Sequence, residues 1–223
     1  MPDAILTLNA GSSSLKFSLY RRTMPGLTLS LKGLIEGIGQ DPHLVIRDAK
    51  GVVLTERFWR AGAGSHEDFL GGLLGWIDSH LEGARLVMVG HRVVHGGASL
   101  SSPILIDADA LTMLEQLCPL APLHQPHHLS AIRAVAALRP DLPQVACFDT
   151  AFHHGQPTLA TRFALPRRLE TDGVRRYGFH GLSYEYVSDR ILKKNTIPPL
   201  SELIQNAARQ LLSAQQSFSL ACP

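Results

Sequence analysis

Ile5-Leu-Thr-Leu-Asn9-Ala10-Gly11-Ser12-Ser13-Ser14-Leu15-Lys16-Phe-Ser-Leu-Tyr20 is the stretch on which the fold turns. Ile5–Asn9 is a short apolar run, Gly11–Ser14 carries turn residues, and Leu15–Tyr20 alternates apolar with polar. Side chains on a strand point to opposite faces in turn, so this pattern predicts two strands joined by a tight turn. Leu27–Ile38 continues it, and His43–Ala49 and Val52–Trp59 form a further pair around Asp48-Ala-Lys-Gly51. Strands with such short connections predict an antiparallel or mixed sheet.

Beyond the glycine-rich residues 62–64 the period changes. Glu67–Leu81 places Phe69, Leu70, Leu73, Leu74 and Ile77 at the spacing of an amphipathic helix. Arg85–Val94 is β-branched and predicts a strand. Ala108–Leu117 predicts a helix capped by Asp107, and Leu129–Leu138 a helix stopped by Pro140. Gln144–Phe148 predicts a buried strand and Leu182–Leu192 a final helix. Strands alternating with helices give an α/β layer architecture. Past Pro198-Pro199, the residues Leu200, Leu203, Ile204, Ala207, Ala208, Leu211 and Leu212 form a helical stripe wide enough to need a partner surface.

Composition narrows the class. Apolar residues make up 45% of the 223, enough to build a core. Lysine and arginine total 21 against 19 acidic residues, so no basic footprint for nucleic acid or an anionic membrane exists. Any anion must be small and met locally. Cys118, Cys147 and Cys222 are odd in number and lack C-x-x-C spacing, which disfavours a disulfide scaffold and a zinc ribbon and suits a reducing compartment. No basic leader and no run of about 18 apolar residues is present. The expectation is a soluble, cytoplasmic protein.

Four segments carry candidate chemistry. In Asn9-Ala-Gly-Ser-Ser-Ser-Leu-Lys16, Gly11 lets backbone N–H groups approach a ligand. Ser12, Ser13 and Ser14 add hydroxyls, and Lys16 adds a charge, a combination suited to phosphate. It is not a G-x-x-x-x-G-K-[ST] loop, and taken alone it is more simply an exposed hairpin turn. In Gly90-His-Arg-Val-Val-His-Gly-Gly97 the two histidines are four apart, but on a strand rising ~3.3 Å per residue they are about 13 Å apart, too far to share a zinc. Alternation puts Arg92 and Val94 on one face, a charged fork beside a dry wall, which is what a small carboxylate needs. A structural arginine paired with an acid accounts for the pattern equally well.

In Cys147-Phe-Asp-Thr-Ala-Phe-His-His154, Asp149 stands at the carboxyl end of a strand, where α/β proteins tend to place ligands. A turn aspartate fits as well. In Arg175-Arg-Tyr-Gly-Phe-His-Gly181, His180 lies between two glycines ahead of a helix and could donate to a developing anion. His124, His127 and His128, around Pro122 and Pro126, read as a loop beside the pocket rather than as a metal site.

Taken together, N-x-G-S-S-S-x-K, G-H-R-V-V-H-G-G, P-L-A-P-L-H, F-D-T-A-F-H and Y-G-F-H-G resemble the acetate kinases in order and separation, over roughly residues 4–190. Propionate and butyrate kinases share much of this. The resemblance implies an actin-like, sugar-kinase-like fold of ribonuclease-H-like topology, of which this chain supplies the first domain, a mixed sheet flanked by helices. It also implies Mg²⁺-dependent phosphoryl transfer between ATP and a short-chain carboxylate such as acetate, and a homodimer in the full-length family. By matching positions, Asn9 resembles the residue that helps hold magnesium. Lys16, with Ser12 and Ser14, resembles the nucleotide-phosphate contact. Arg92 matches the substrate arginine, and Val94, Leu123 and Phe179 match the acyl pocket. Asp149 matches the essential acid and His180 the transition-state stabiliser.

A carboxylic acid is already ionised at pH 7, so the nucleophile needs no general base. Asp149 is therefore expected to orient Arg92, magnesium-bound water or both. Gln125 stands where the family usually has Asn, and Leu182 and Tyr184 depart after Y-G-F-H-G. Past about residue 193 the resemblance ends, so residues 194–223 are expected to be a divergent tail from truncation or frameshift, with the second, nucleotide-binding domain absent. A chain so built is expected to have little activity alone. The rival reading is a non-catalytic fragment that binds a carboxylate or acyl phosphate. A sugar-kinase-like or chaperone-like ATPase is disfavoured by the apolar neighbour of Arg92.

Overall fold

The computed structural model describes residues 1–24 and 26–193. The chain divides into two compact units, Met1–Leu182 and Ser183–Pro223. The stripe from Leu200 to Leu212 lies outside the described residues.

The first unit opens with five strands: β1 (Asp3–Ala10), β2 (Leu15–Thr23), β3 (Gly26–Glu36), β4 (His43–Asp48) and β5 (Val53–Phe58). Each pairs antiparallel with the next, as the tight connections predict. The turn at Asp48 is built as its residues demand. The Asp48 carboxylate accepts from the N–H groups of Lys50 and Val52, at 2.9 and 2.8 Å, and Gly51 takes φ +90°.

Helix α1 (His66–Ser79) follows, then β6 (Arg85–Val93), β7 (Ile104–Leu105), α2 (Ala108–Gln116), α3 (Gln125–Leu138) and β8 (Gln144–Phe148). Single-turn helices α4 (Thr158–Thr161) and α5 (Arg167–Thr171) precede α6 (Gly181–Lys193), which crosses into the second unit. The sheet runs β5-β4-β3-β2-β1-β6-β8-β7. Strands β1, β6 and β8 are parallel, and β7 is antiparallel to β8. The sheet is therefore mixed and the class α/β.

Strand alternation sorts the two faces. Leu6 and Leu8 of β1, Leu15, Phe17 and Leu19 of β2, Ile35 of β3 and Ile46 of β4 all turn to one side. There they pack on Phe69, Leu70, Leu73, Leu74 and Ile77 of α1 and on Ala131, Ala134 and Val135 of α3. Each of the buried leucine, isoleucine, valine and phenylalanine side chains contributes about 1.5–3 kcal/mol. A second cluster, around Val93, Leu114, Leu129, Ile132 and Phe148, joins α2 and α3 to β6 and β8. Helix α1 begins in a capping box: the Ser65 side chain accepts from the Asp68 N–H, and the Asp68 carboxylate accepts from the Ser65 N–H.

One difference from the sequence reading matters for the site. Helix α3 starts at Gln125, four residues before the predicted Leu129, so His127 and His128 are helical and not part of a loop. Pro126 is accommodated because a proline in the first turn forfeits an N–H that has no intrahelical partner anyway.

Candidate active site

The parallel order of β1, β6 and β8 brings the ends of three distant segments together. Asn9 is near the end of β1, Arg92 near the end of β6, and Asp149 directly follows β8. Arg92 Nε donates to both Asp149 oxygens, at 3.2 and 3.1 Å, and Nη2 donates to Oδ2 at 2.6 Å. Its Nη1 donates to Asn9 Oδ1 at 3.1 Å. A guanidinium has five N–H donors, so this arrangement leaves one hydrogen on each of Nη1 and Nη2. The Asp149 side chain is 2% exposed and that of Arg92 32%, so the acid is buried and the base shows its outer edge.

Asp149 is fixed through its backbone as well. Its N–H donates to Val93 O at 3.0 Å, and its carbonyl accepts from Gly181 N–H at 2.8 Å. That second bond ties the Y-G-F-H-G segment to the backbone of Asp149. A Cβ on Gly181 would collide with the Asp149 carbonyl, and one on Gly178 with the His153 ring. His153 Nε2 in turn is 3.0 Å from Phe179 O. His180 therefore adjoins the residue that clasps Asp149. It is exposed and holds φ +58°, a left-handed conformation uncommon for a residue with a side chain.

On the face opposite α1 and α3 lies a cavity of about 750 Å³. Asn9, Lys16, Lys32, Arg47, Arg92, Cys147 and Leu182 are among its lining residues, with Leu34 and Val45 on the apolar floor. Among the described residues, four cations and no acid line it, which makes it attractive to anions. Lys16 is the cross-strand partner of Asn9. Lys32 and Arg47, which are paired across β3 and β4, escaped the sequence reading although alternation from Lys16 could have found them.

Gly11 N–H donates to Ser14 O at 2.8 Å, closing the β1–β2 turn with Ser12 and Ser13 exposed. Gly11 O is 3.0 Å from His66 Nε2. Val94 lies one residue beyond β6, so the alternation that paired it with Arg92 does not extend to it. It is 7% exposed. Leu123 is 76% exposed and Phe179 38%. Val94, Leu123, Phe179, Asp149 and His180 do not line the large cavity.

The histidines have separate partners. His91 Nε2 donates to Gln144 Oε1 at 2.7 Å, and burial pushes its pKa down to about 4. The His95 ring lies edge-on to Tyr177 and Phe179, with centroids 4.4 and 5.7 Å away. His66, 6.3 Å from His127 between ring centroids, is held below its ordinary pKa by burial. Among the described residues no group of three or more His, Cys, Asp or Glu could hold a metal ion. Asn9 Oδ1, on the cavity wall, could anchor magnesium-bound water, which suits an ion that keeps most of its waters and binds chiefly to substrate phosphates. Also among the described residues, no helix is long and apolar enough to cross a membrane.

Known proteins are similar to this chain over most of its length. The acetate kinase of Rhodopseudomonas palustris (strain ATCC BAA-98 / CGA009) is 50% identical over 193 residues, covering 86% of this chain and 48% of the relative. Among solved structures, a propionate kinase from Francisella tularensis subsp. tularensis SCHU S4 superposes with TM-score 0.76 at 37% identity, covering 87% of this chain and 49% of that one. The acetate kinase of Porphyromonas gingivalis gives 0.70 at 34%, covering 86% and 48%. The chain thus spans about half the length of the curated relatives it matches. The profile of the Acetokinase family matches residues 4–202, and the chain belongs to that family.

Proposed function

We propose that this chain carries the carboxylate-binding half of a kinase that moves a phosphoryl group between ATP and a short-chain carboxylate, with ATP and acetate giving ADP and acetyl phosphate. The observation that supports it is the Arg92 fork, fixed by Asp149 and Asn9, with one hydrogen left on each terminal nitrogen. Those two donors match the two oxygens of a carboxylate.

In the forward direction a carboxylate oxygen attacks the γ-phosphorus, the new P–O bond forms, and the bond to the ADP oxygen breaks. ADP leaves as the oxyanion and no proton moves, because the acid arrives ionised. The work left to the protein is alignment and charge neutralisation. Arg92 holds the attacking carboxylate, and Asp149 keeps the guanidinium in orientation. Lys16, with the Ser12 and Ser14 hydroxyls, meets nucleotide phosphate, and His180 faces charge developing on the transferred group. Val94, Leu123 and Phe179 border the acyl chain. Asn9 would help hold magnesium brought with the nucleotide, which would supply neutralisation of phosphate charge.

The test is hydroxamate trapping of acyl phosphate from ATP and Mg²⁺ with acetate and, separately, propionate. One methylene changes discrimination by only about 1–3 kcal/mol, so both acids are needed. Turnover that Arg92→Ala abolishes supports the reading. Saturable acetyl phosphate binding without turnover, lost in Arg92→Ala, keeps the carboxylate site and removes catalysis from this chain. Neither turnover nor binding overturns the proposal.

A further inference from the structure

The chain that follows β6 leaves the sheet while still buried, and its N–H groups are met one after another by side chains. Val94 N–H donates to His128 Nδ1 at 3.1 Å and His95 N–H to Gln125 Oε1 at 3.3 Å. Gly96 N–H donates to Thr150 Oγ1 at 3.0 Å and Gly97 N–H to His95 Nδ1 at 2.8 Å. The Gln125 amide nitrogen donates back to His95 O and to Leu114 O, at 3.1 and 3.3 Å. Gln125 is 0% exposed and His128 4%.

This segment has no slack. A Cβ on Gly96 would press on Leu100 O and on the Phe148 ring. Both clamping side chains come from the first turn of α3, which packs through Leu129 and Ile132 onto Val93. A buried donor left without a partner is costly, so releasing either side chain would move the backbone it holds. That backbone lies two residues from the Arg92 guanidinium.

We propose that His128 and Gln125 are positioning residues of the carboxylate site, holding the backbone at Val94 and His95 so that Arg92, two residues before, keeps its outer edge turned to the acid. The proposal rests on reading Arg92 as the carboxylate ligand. His128 can accept from Val94 only while Nδ1 is unprotonated. Burial, followed by the Arg92 charge, pushes its pKa down to about 4. Asp149 from beyond β8 opposes that shift, and His124 and His127 on its own helix add to it.

The experiment uses the full chain labelled with ¹⁵N and compares the wild type with His128→Leu and His128→Asn. The asparagine carbonyl oxygen is as far along the side chain as Nδ1, so it preserves an acceptor that cannot be protonated in this range. Val94 amide exchange relative to β1 amides, the Arg92 Nε–H resonance and the acetyl phosphate Kd are measured. Expected for His128→Leu are roughly ten-fold faster Val94 exchange and roughly ten-fold weaker binding, both restored by His128→Asn. As pH falls towards 4 the wild type loses Val94 protection, and His128→Asn keeps it.

Binding in His128→Leu equal to wild type, or no rescue by His128→Asn, overturns the proposal. Should His128→Leu not fold, identical pH dependence in the wild type and His128→Asn overturns it, and a difference supports it. If the wild type binds no acetyl phosphate, the carboxylate reading falls. The Arg92 resonance then decides the clamp: displacement in His128→Leu and return in His128→Asn support it, and no displacement overturns it.

Discussion

At the residue scale, Arg92 and Asp149 are one unit. The carboxylate is buried and its oxygens are taken by the guanidinium, while the guanidinium keeps its outer edge open. Arg92→Ala therefore strands a buried acid, a change that costs roughly 3 kcal/mol. Urea unfolding should show that loss together with the loss of ligand binding. Arg92→Lys should recover only part of the stability, because an ammonium supplies charge without the side-on fork. A loss in Arg92→Ala of well under about 1 kcal/mol would mean that the acid rotates into water, and that the pair does not hold the strand ends together.

At the scale of elements, helix α1 is fixed by its cap and its buried stripe, and its exposed face is free to change. Gly75 is exposed in mid-helix, and a Cβ there meets nothing within 4 Å. Gly75→Ala should stabilise the protein by about 0.5–1 kcal/mol, read as a higher urea midpoint at unchanged slope. The longer elements were legible in the sequence because periodicity repeats several times within them. Strand β7 has two residues and cannot show alternation, and α4 and α5 are single turns set up by Pro157 and Pro166. The start of α3 was misread because Pro126, a breaker in mid-helix, is harmless in a first turn. That error also hid the hydrogen bonds from the backbone after β6 to Gln125 and His128. Asn9, Arg92 and Asp149 could be named from their motifs. Their hydrogen bonds could not, because only the order β1-β6-β8 brings the three segments together.

For the whole molecule, buried histidines set the acid limit. His91 and His128 are both held near 4 by burial, against an ordinary 6.5. The unfolded chain takes up those protons near 6.5 and the folded one does not, so the unfolded state binds more protons between 6.5 and 4. The stability they contribute is complete above about 6.5 and is withdrawn as pH falls through that window, by roughly 3 kcal/mol for each histidine. Urea midpoints should be level from pH 7 to 8 and fall steadily below 6.5. A midpoint at pH 4.5 equal to that at pH 7 would contradict this account.

His180 works against the fold that carries it. A side chain at φ +58° costs about 1 kcal/mol that glycine would not incur, so His180→Gly should raise the thermal midpoint while removing any stabilisation of the transferred group. The two ends of the site are thus under opposite pressures. A lineage freed from the need for catalysis would gain robustness by drifting to glycine or asparagine at 180, whereas losing Arg92 would unsettle the scaffold itself. Among descendants of such a chain, the histidine would record continuing use and the arginine only continuing foldedness.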